Sequence, residues 1–180
     1  MNRRGFIATS LWSFAAFIGF AREKVFAKTY LTVDQAKNIL WEGATLTPKN
    51  VELTPDQMKA IRTASKTRVR SSKINAWVTE NKDWFIVDQV IGKHENIDLA
   101  VALTNEGKVK GLEILTYRES YGYEIMDPKW RAQFHGRGAE KVLKLDKDIQ
   151  NIGGATLSCR HVTDGINRLV YTWDLVLKHL

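Results

Sequence analysis

The chain has 180 residues, room for one domain of ordinary size and not for two. With 44% hydrophobic, 26% charged and 10% aromatic residues, its composition is that of a globular protein and excludes a disordered chain. The net charge of +7 raises the question of nucleic acid, but residues 28–180 hold only 23 basic against 19 acidic side chains, so no nucleic-acid partner is expected.

The first 27 residues have a layout of their own. Arg3 and Arg4 open it, an apolar run from Leu11 to Ala21 follows, and Val25-Phe26-Ala27 ends on a small residue. That is the three-part pattern of an export signal, and Arg3-Arg4 followed by Gly5-Phe6-Ile7 resembles a twin-arginine address. A periplasmic location follows as an expectation, with cleavage after Ala27, or retention of the segment as a membrane anchor, as the two fates.

Residues 28–75 form an N-terminal helical segment. "TVDQAKNILW" (32–41) starts at a capping Thr32 with Val33, Ala36, Ile39 and Leu40 at helical spacing, and Gly43 stops it. "LTPDQMKAIRTAS" (53–65) starts at Thr54 with Pro55 in the first helical position. The basic run "KTRVRSSK" (66–73) reads as a solvated loop and receives no function.

From residue 76 the period changes. "NAWVTE" (75–80) and "DWFIVDQVIG" (83–92) read as one hairpin, and "DLAVALT" (98–104) and "KVKGLEILTYRE" (108–119) as a second. Four strands in one antiparallel sheet are expected. "DPKWRAQFHG" (127–136) reads as a short helix, and "EKVLKLDKDI" (140–149) as strand-like. "SCRHVTDGINRLVYTWDLVLKHL" (158–180) is the clearest helix, with Val162, Ile166, Leu169, Val170, Trp173, Val176 and Leu177 on one face. Gly165 inside it predicts a kink or close packing. The fold class is α+β, an antiparallel sheet packed with helices, and residues 76–180 form one compact domain with 28–75. The single cysteine, Cys159, reads as a small buried residue on this last helix.

Just before that helix stands "GGATLS" (153–158). A helix N-terminus offers unpaired N–H groups and a partial positive charge, so it suits a phosphate. Gly153 and Gly154 let the backbone approach closely, and Thr156 places a hydroxyl at the mouth. Spacing alone leaves two readings open: a phosphate seat, or an ordinary N-cap at Thr156 or Ser158.

"GGATLS" followed by an amphipathic helix resembles the flavin-attachment motif of the FMN-binding domain family, which includes the covalent-flavin subunits of the Rnf complex and of sodium-pumping NADH:quinone reductase. "RESYGYEI" (118–125), "WRAQFHG" (130–136) and the strand pair in residues 92–115 resemble the family's other blocks, in the same order. The resemblance implies FMN linked through its phosphate to Thr156, forming phosphothreonyl-FMN by the action of a flavin transferase. It also implies a flavin site of Gly153, Gly154, Ala155, Leu157 and Ser158 around that threonine, with Glu119, Ser120, Tyr121 and Gly122 along the isoalloxazine or ribityl chain. The implied role is electron relay to or from a membrane redox protein or complex. A flavin-dependent reductase with its own small substrate and a noncovalent binding module are the alternatives. The chain departs from the family pattern at Gln150, where the family has an acid (the nearest here is Asp148), at Gly153-Gly154 and at Glu124. Trp84, Trp130 and Tyr121 are candidates for stacking on a flavin. His94, His135, His161 and His179 show no metal-ligand spacing, and no metal is expected.

Overall fold

A computed structural model describes residues 28–180; the expected export signal, residues 1–27, lies outside the described residues. Seven strands form one antiparallel sheet: β1 (Lys28–Thr29), β2 (Thr47–Pro48), β3 (Val51–Glu52), β4 (Lys73–Val78), β5 (Trp84–Ile91), β6 (Asn96–Leu103) and β7 (Val109–Tyr117). The order is β1-β7-β6-β5-β4-β2, with β3 also on β4. The four long strands are the expected ones. The other three are two-residue edge pieces, too short for any alternation to be visible.

Helices cover both faces. α1 (Val33–Leu40) and α2 (Pro55–Ser65) each begin with a reciprocal capping box. In α1 the Thr32 hydroxyl accepts from the Gln35 N–H, while Gln35 Oε1 accepts from the Thr32 N–H; Thr54 and Gln57 do the same for α2. α1 lies on the face where Phe85, Ala100, Ala102 and Leu115 point. The approach is close: a Cβ on Gly111 would come within 2.5 Å of Leu40. The small side chains of β6 on this face make room for it.

The opposite face carries Ile86, Val90, Leu99, Val101, Leu112 and Ile114, all buried against α2 and α4 (Thr156–Leu175). Gly165 is where α4 comes down on β5, since a Cβ there would stand 2.6 Å from Val90; close packing is the reason for this glycine. An ion pair between Arg168 and Asp88 fixes the same crossing. Cys159 is fully buried in this layer, and burial pushes its thiol up, as for an unreactive structural cysteine.

Two expectations need correction. Residues 140–149 are not a strand. Leu143 pairs its N–H and C=O with the Asn167 side chain on α4, at 2.8 and 2.9 Å, which removes both groups from any ladder. The chain then turns tightly, with Asp146 at φ 66 and Asp148 accepting the Lys144 N–H at 2.9 Å. The last helix also stops at Leu175 and continues only as a 3-10 turn over Leu177–His179. The short helix at 127–136 is α3 (Pro128–Arg131) running into a second 3-10 turn over Ala132–Phe134.

Candidate functional site

α4 does not begin with a hydroxyl cap. Its N-cap residue is Ala155, which has no side chain to offer, and Thr156 is the first helical residue. The N-cap reading of Thr156 or Ser158 is therefore wrong. Ser158 is buried, and its hydroxyl is 3.0 Å from that of Tyr117, which itself donates to the Tyr121 carbonyl at 2.5 Å. The first intrahelical bond runs from the Cys159 N–H to the Ala155 carbonyl, so the amides ahead of it have no side-chain cap.

These amides border an open cavity of about 660 Å³. Three segments wall it: Lys93 and His94 in the β5–β6 turn, residues 119–124 after β7, and residues 154–158 at the start of α4. Nine of the ten sequence-named site residues, Glu119, Ser120, Tyr121, Gly122, Gly154, Ala155, Thr156, Leu157 and Ser158, share this one wall. Gly153 stands just outside it, exposed, with open space on its Cβ side. Segments well separated in sequence thus meet, because β7 ends and α4 begins at this cavity.

Each segment is held by identifiable bonds. Glu119 Oε1 accepts the backbone N–H groups of His94 and Glu95, bracing the β5–β6 turn against the β7 loop. A Cβ on Gly92 would run into this carboxylate, at 2.5 Å. His161 Nδ1 lies 3.1 Å from the Gly92 carbonyl and ties α4 to the same turn. Gly122 has φ 90 and sits where a Cβ would meet Tyr117 Oη at 2.6 Å, so the loop needs glycine twice over. Burial pushes the Tyr117 phenol up, with the Ser158 hydrogen bond opposing the shift, and keeps it a neutral donor to Tyr121.

The block "WRAQFHG" serves the approach to α4. Trp130 Nε1 donates to the Gln150 carbonyl at 2.7 Å, and the Gln150 N–H donates to Gln133 Oε1 at 2.8 Å. One residue's backbone is clamped at both ends, three residues before Gly153. Asp148 does not reach the cavity wall. A hydrogen bond from Lys141, with help from the Lys144 N–H, holds its carboxyl below the usual carboxylate range.

Thr156 is half-buried, and its Oγ1 accepts from Asn151 Nδ2 at 3.2 Å. Two buried acceptors nearby have no partner among the described residues: Asn151 Oδ1, and Glu124 Oε2 on the cavity wall. Trp84 and Trp130 are core residues, at 2% and 5% exposure, and cannot stack on a ligand in the cavity. Tyr121, at 83%, is free to do so, and Tyr123 and Leu157 are exposed beside it. Sequence reasoning missed Lys93, His94, Tyr123 and Glu124 as wall residues. Nothing marked the first two beyond their place in the turn directly ahead of β6.

Fold and site together define an α+β binding domain whose cavity opens at an uncapped helix N-terminus. Residues 92–171 match the model of the FMN-binding domain family. The fold is similar to that of NqrC from Shewanella oneidensis, with a TM-score of 0.53 and 14% identity over 82% of this chain and 88% of that one. It is also similar to a solved subunit of the Na+-translocating NADH-quinone reductase from Parabacteroides distasonis, with a TM-score of 0.51 and 11% identity over 73% and 78% of the two chains. No curated protein matches the sequence.

Proposed function

We propose that this chain is an exported flavoprotein that carries FMN on Thr156 through a phosphoester and relays electrons to or from a membrane redox partner. The observation that carries the reading is the convergence of the Thr156 hydroxyl, the uncapped amides of α4 and the loop 119–124 on one cavity. The residues suit the group. A cavity of about 660 Å³ is within the range that holds a ligand of this class. The phosphate would sit at the helix N-terminus, and the orphaned acceptors Glu124 Oε2 and Asn151 Oδ1 would find donors among ribityl hydroxyls and the ring N–H. Tyr121 would lie against the ring system.

A helix N-terminus contributes only about 0.3–1 kcal/mol toward an anion in exposed geometry, while nanomolar retention needs about 12 kcal/mol. A covalent link to Thr156 removes that gap and leaves the cavity free to stay open. When bound, the flavin supplies one- and two-electron redox chemistry, and the chain tunes and exposes it. The quinone-reductase relative is by its name part of a larger assembly, which supports a membrane redox partner here. A flavin transferase would make the attachment. The test is to express the chain with such a transferase, denature it, and ask whether flavin fluorescence stays with the polypeptide on a denaturing gel. Flavin that is lost entirely on denaturation would leave a noncovalent domain.

A further inference from the structure

Between residues 57 and 79 the chain places six cations, Lys59, Arg62, Lys66, Arg68, Arg70 and Lys73, and no acid. All six are exposed. None forms an ion pair among the described residues, although seven other pairs do form. Without these six, residues 28–180 would hold 17 basic and 19 acidic side chains, so the basic excess of this part of the chain comes from one patch. A solvated loop has no need of such segregation, since mixed signs serve solubility as well.

The patch lies next to the flavin cavity. A groove of about 180 Å³ between Lys66, Arg68 and Arg70 on one side and His161, Asp164 and Arg168 of α4 on the other runs along Val90 and Ile91. The next residues of that strand are Gly92, which meets His161, and then Lys93 and His94 of the cavity wall. The ridge between groove and cavity is therefore one turn of chain wide. The cavity wall itself carries Tyr121 and Tyr123, exposed at 83% and 62%. Exposed tyrosines beside arginines are the composition of a protein-docking surface.

We infer that the basic patch of α2 and the 66–73 loop, together with the tyrosine rim of the cavity, docks an acidic redox protein that exchanges electrons with the flavin. The inference rests on the flavin reading of the cavity. Charge complementarity selects the partner: unpaired cations steer an acidic surface toward the cavity and repel a basic one. A lipid surface fits less well, because the exposed positions from 59 to 73 contain no large apolar side chain to enter a bilayer.

The test uses the FMN-loaded protein, photoreduced, against two ferric haem probes of opposite charge: cytochrome b5, which is acidic, and cytochrome c, which is basic. Each haem takes one electron, so one fully reduced flavin reduces two. The rate constant with cytochrome b5 should fall about tenfold or more as salt rises from about 0.01 to 0.3 M. R62E/R68E/R70E should remove most of this dependence, lower the low-salt rate about tenfold and raise the rate with cytochrome c, with flavin content unchanged. R68Q/R70Q should fall between. A cytochrome b5 rate that ignores salt, or that the triple variant leaves unchanged, overturns the inference. So does a variant that loses only its binding to phosphatidylserine vesicles, which assigns the patch to a membrane. If the wild type holds no flavin, the flavin reading fails separately. Salt-sensitive binding of cytochrome b5 to the flavin-free protein, lost in the triple variant, then decides whether the patch docks an acidic protein.

Discussion

Gly122→Ala should be the most costly single-methyl addition in the site loop. Two independent terms contribute. The backbone at φ 90 disfavours any side chain, a strain of about 1–2 kcal/mol. The new Cβ would also stand 2.6 Å from Tyr117 Oη and 3.2 Å from Ser158 Oγ, so the tyrosine hydroxyl must leave its bonds to Tyr121 and Ser158, worth about 1–3 kcal/mol. The total, about 2–5 kcal/mol, is a large share of a typical domain's stability of about 5–15 kcal/mol. Gly154→Ala carries only the strain term, from φ 85 with open space around it, and should cost about 1 kcal/mol. Gly153→Ala has neither term and should be nearly neutral. Urea unfolding of the three variants gives the order. In a Tyr117→Phe background the contact with Tyr117 Oη is gone, so Gly122→Ala should then cost chiefly its strain, a coupling of about 1 kcal/mol or more. Strict additivity, or a Gly122→Ala no worse than Gly154→Ala, would refute the argument that the Tyr117 hydroxyl fixes this loop.

Trp130→Phe removes the donor to Gln150 and some buried volume, and should lower stability by about 1–2 kcal/mol while making residues 150–154 easier to cleave in limited proteolysis. Asp164 is pushed up by burial, against the opposing charges of His161, Arg160 and Arg168. A carboxyl raised on folding favours the folded state only while protonated, so stability falls as pH rises from the unfolded value of 3.8 through the raised one. Asp164→Asn should therefore be more stable than wild type at neutral pH, with the gap closing at acid pH in thermal melts. Protein recovered from the periplasmic fraction should begin at Lys28 on N-terminal sequencing, and a retained Met1 in the membrane pellet would instead support an anchor.

Much of this was legible because local rules and global fold agree. Thr32 and Thr54 cap helices as their sequences say, each with a glutamine at the third position to complete the box. The alternation of β5 separates Ile86 and Val90 from Phe85 and so names both covered faces. The apolar face of α4 fixes where the motif before it must lie. What sequence could not show came from tertiary partners. The segment "EKVLKLDKDI" has strand-like residues, but a side chain 24 positions away, Asn167, takes the backbone bonds of Leu143. Ser158 looks like a cap and is instead a partner of Tyr117, 41 positions distant. Lys93 and His94 carry no pattern of their own; they join the site because Glu119 folds their turn against the β7 loop.

The phosphoester at Thr156 is tested most directly by intact mass under denaturing conditions, after co-expression with a flavin transferase. The wild type should gain the mass of FMN less one water, and peptide mapping should place it on Thr156. Thr156→Ser keeps the oxygen and should retain at least part of the label. Thr156→Val keeps the branched shape, lacks the hydroxyl and should gain nothing while remaining folded. A wild type without the adduct, or a folded Val variant that still carries it, would contradict the account.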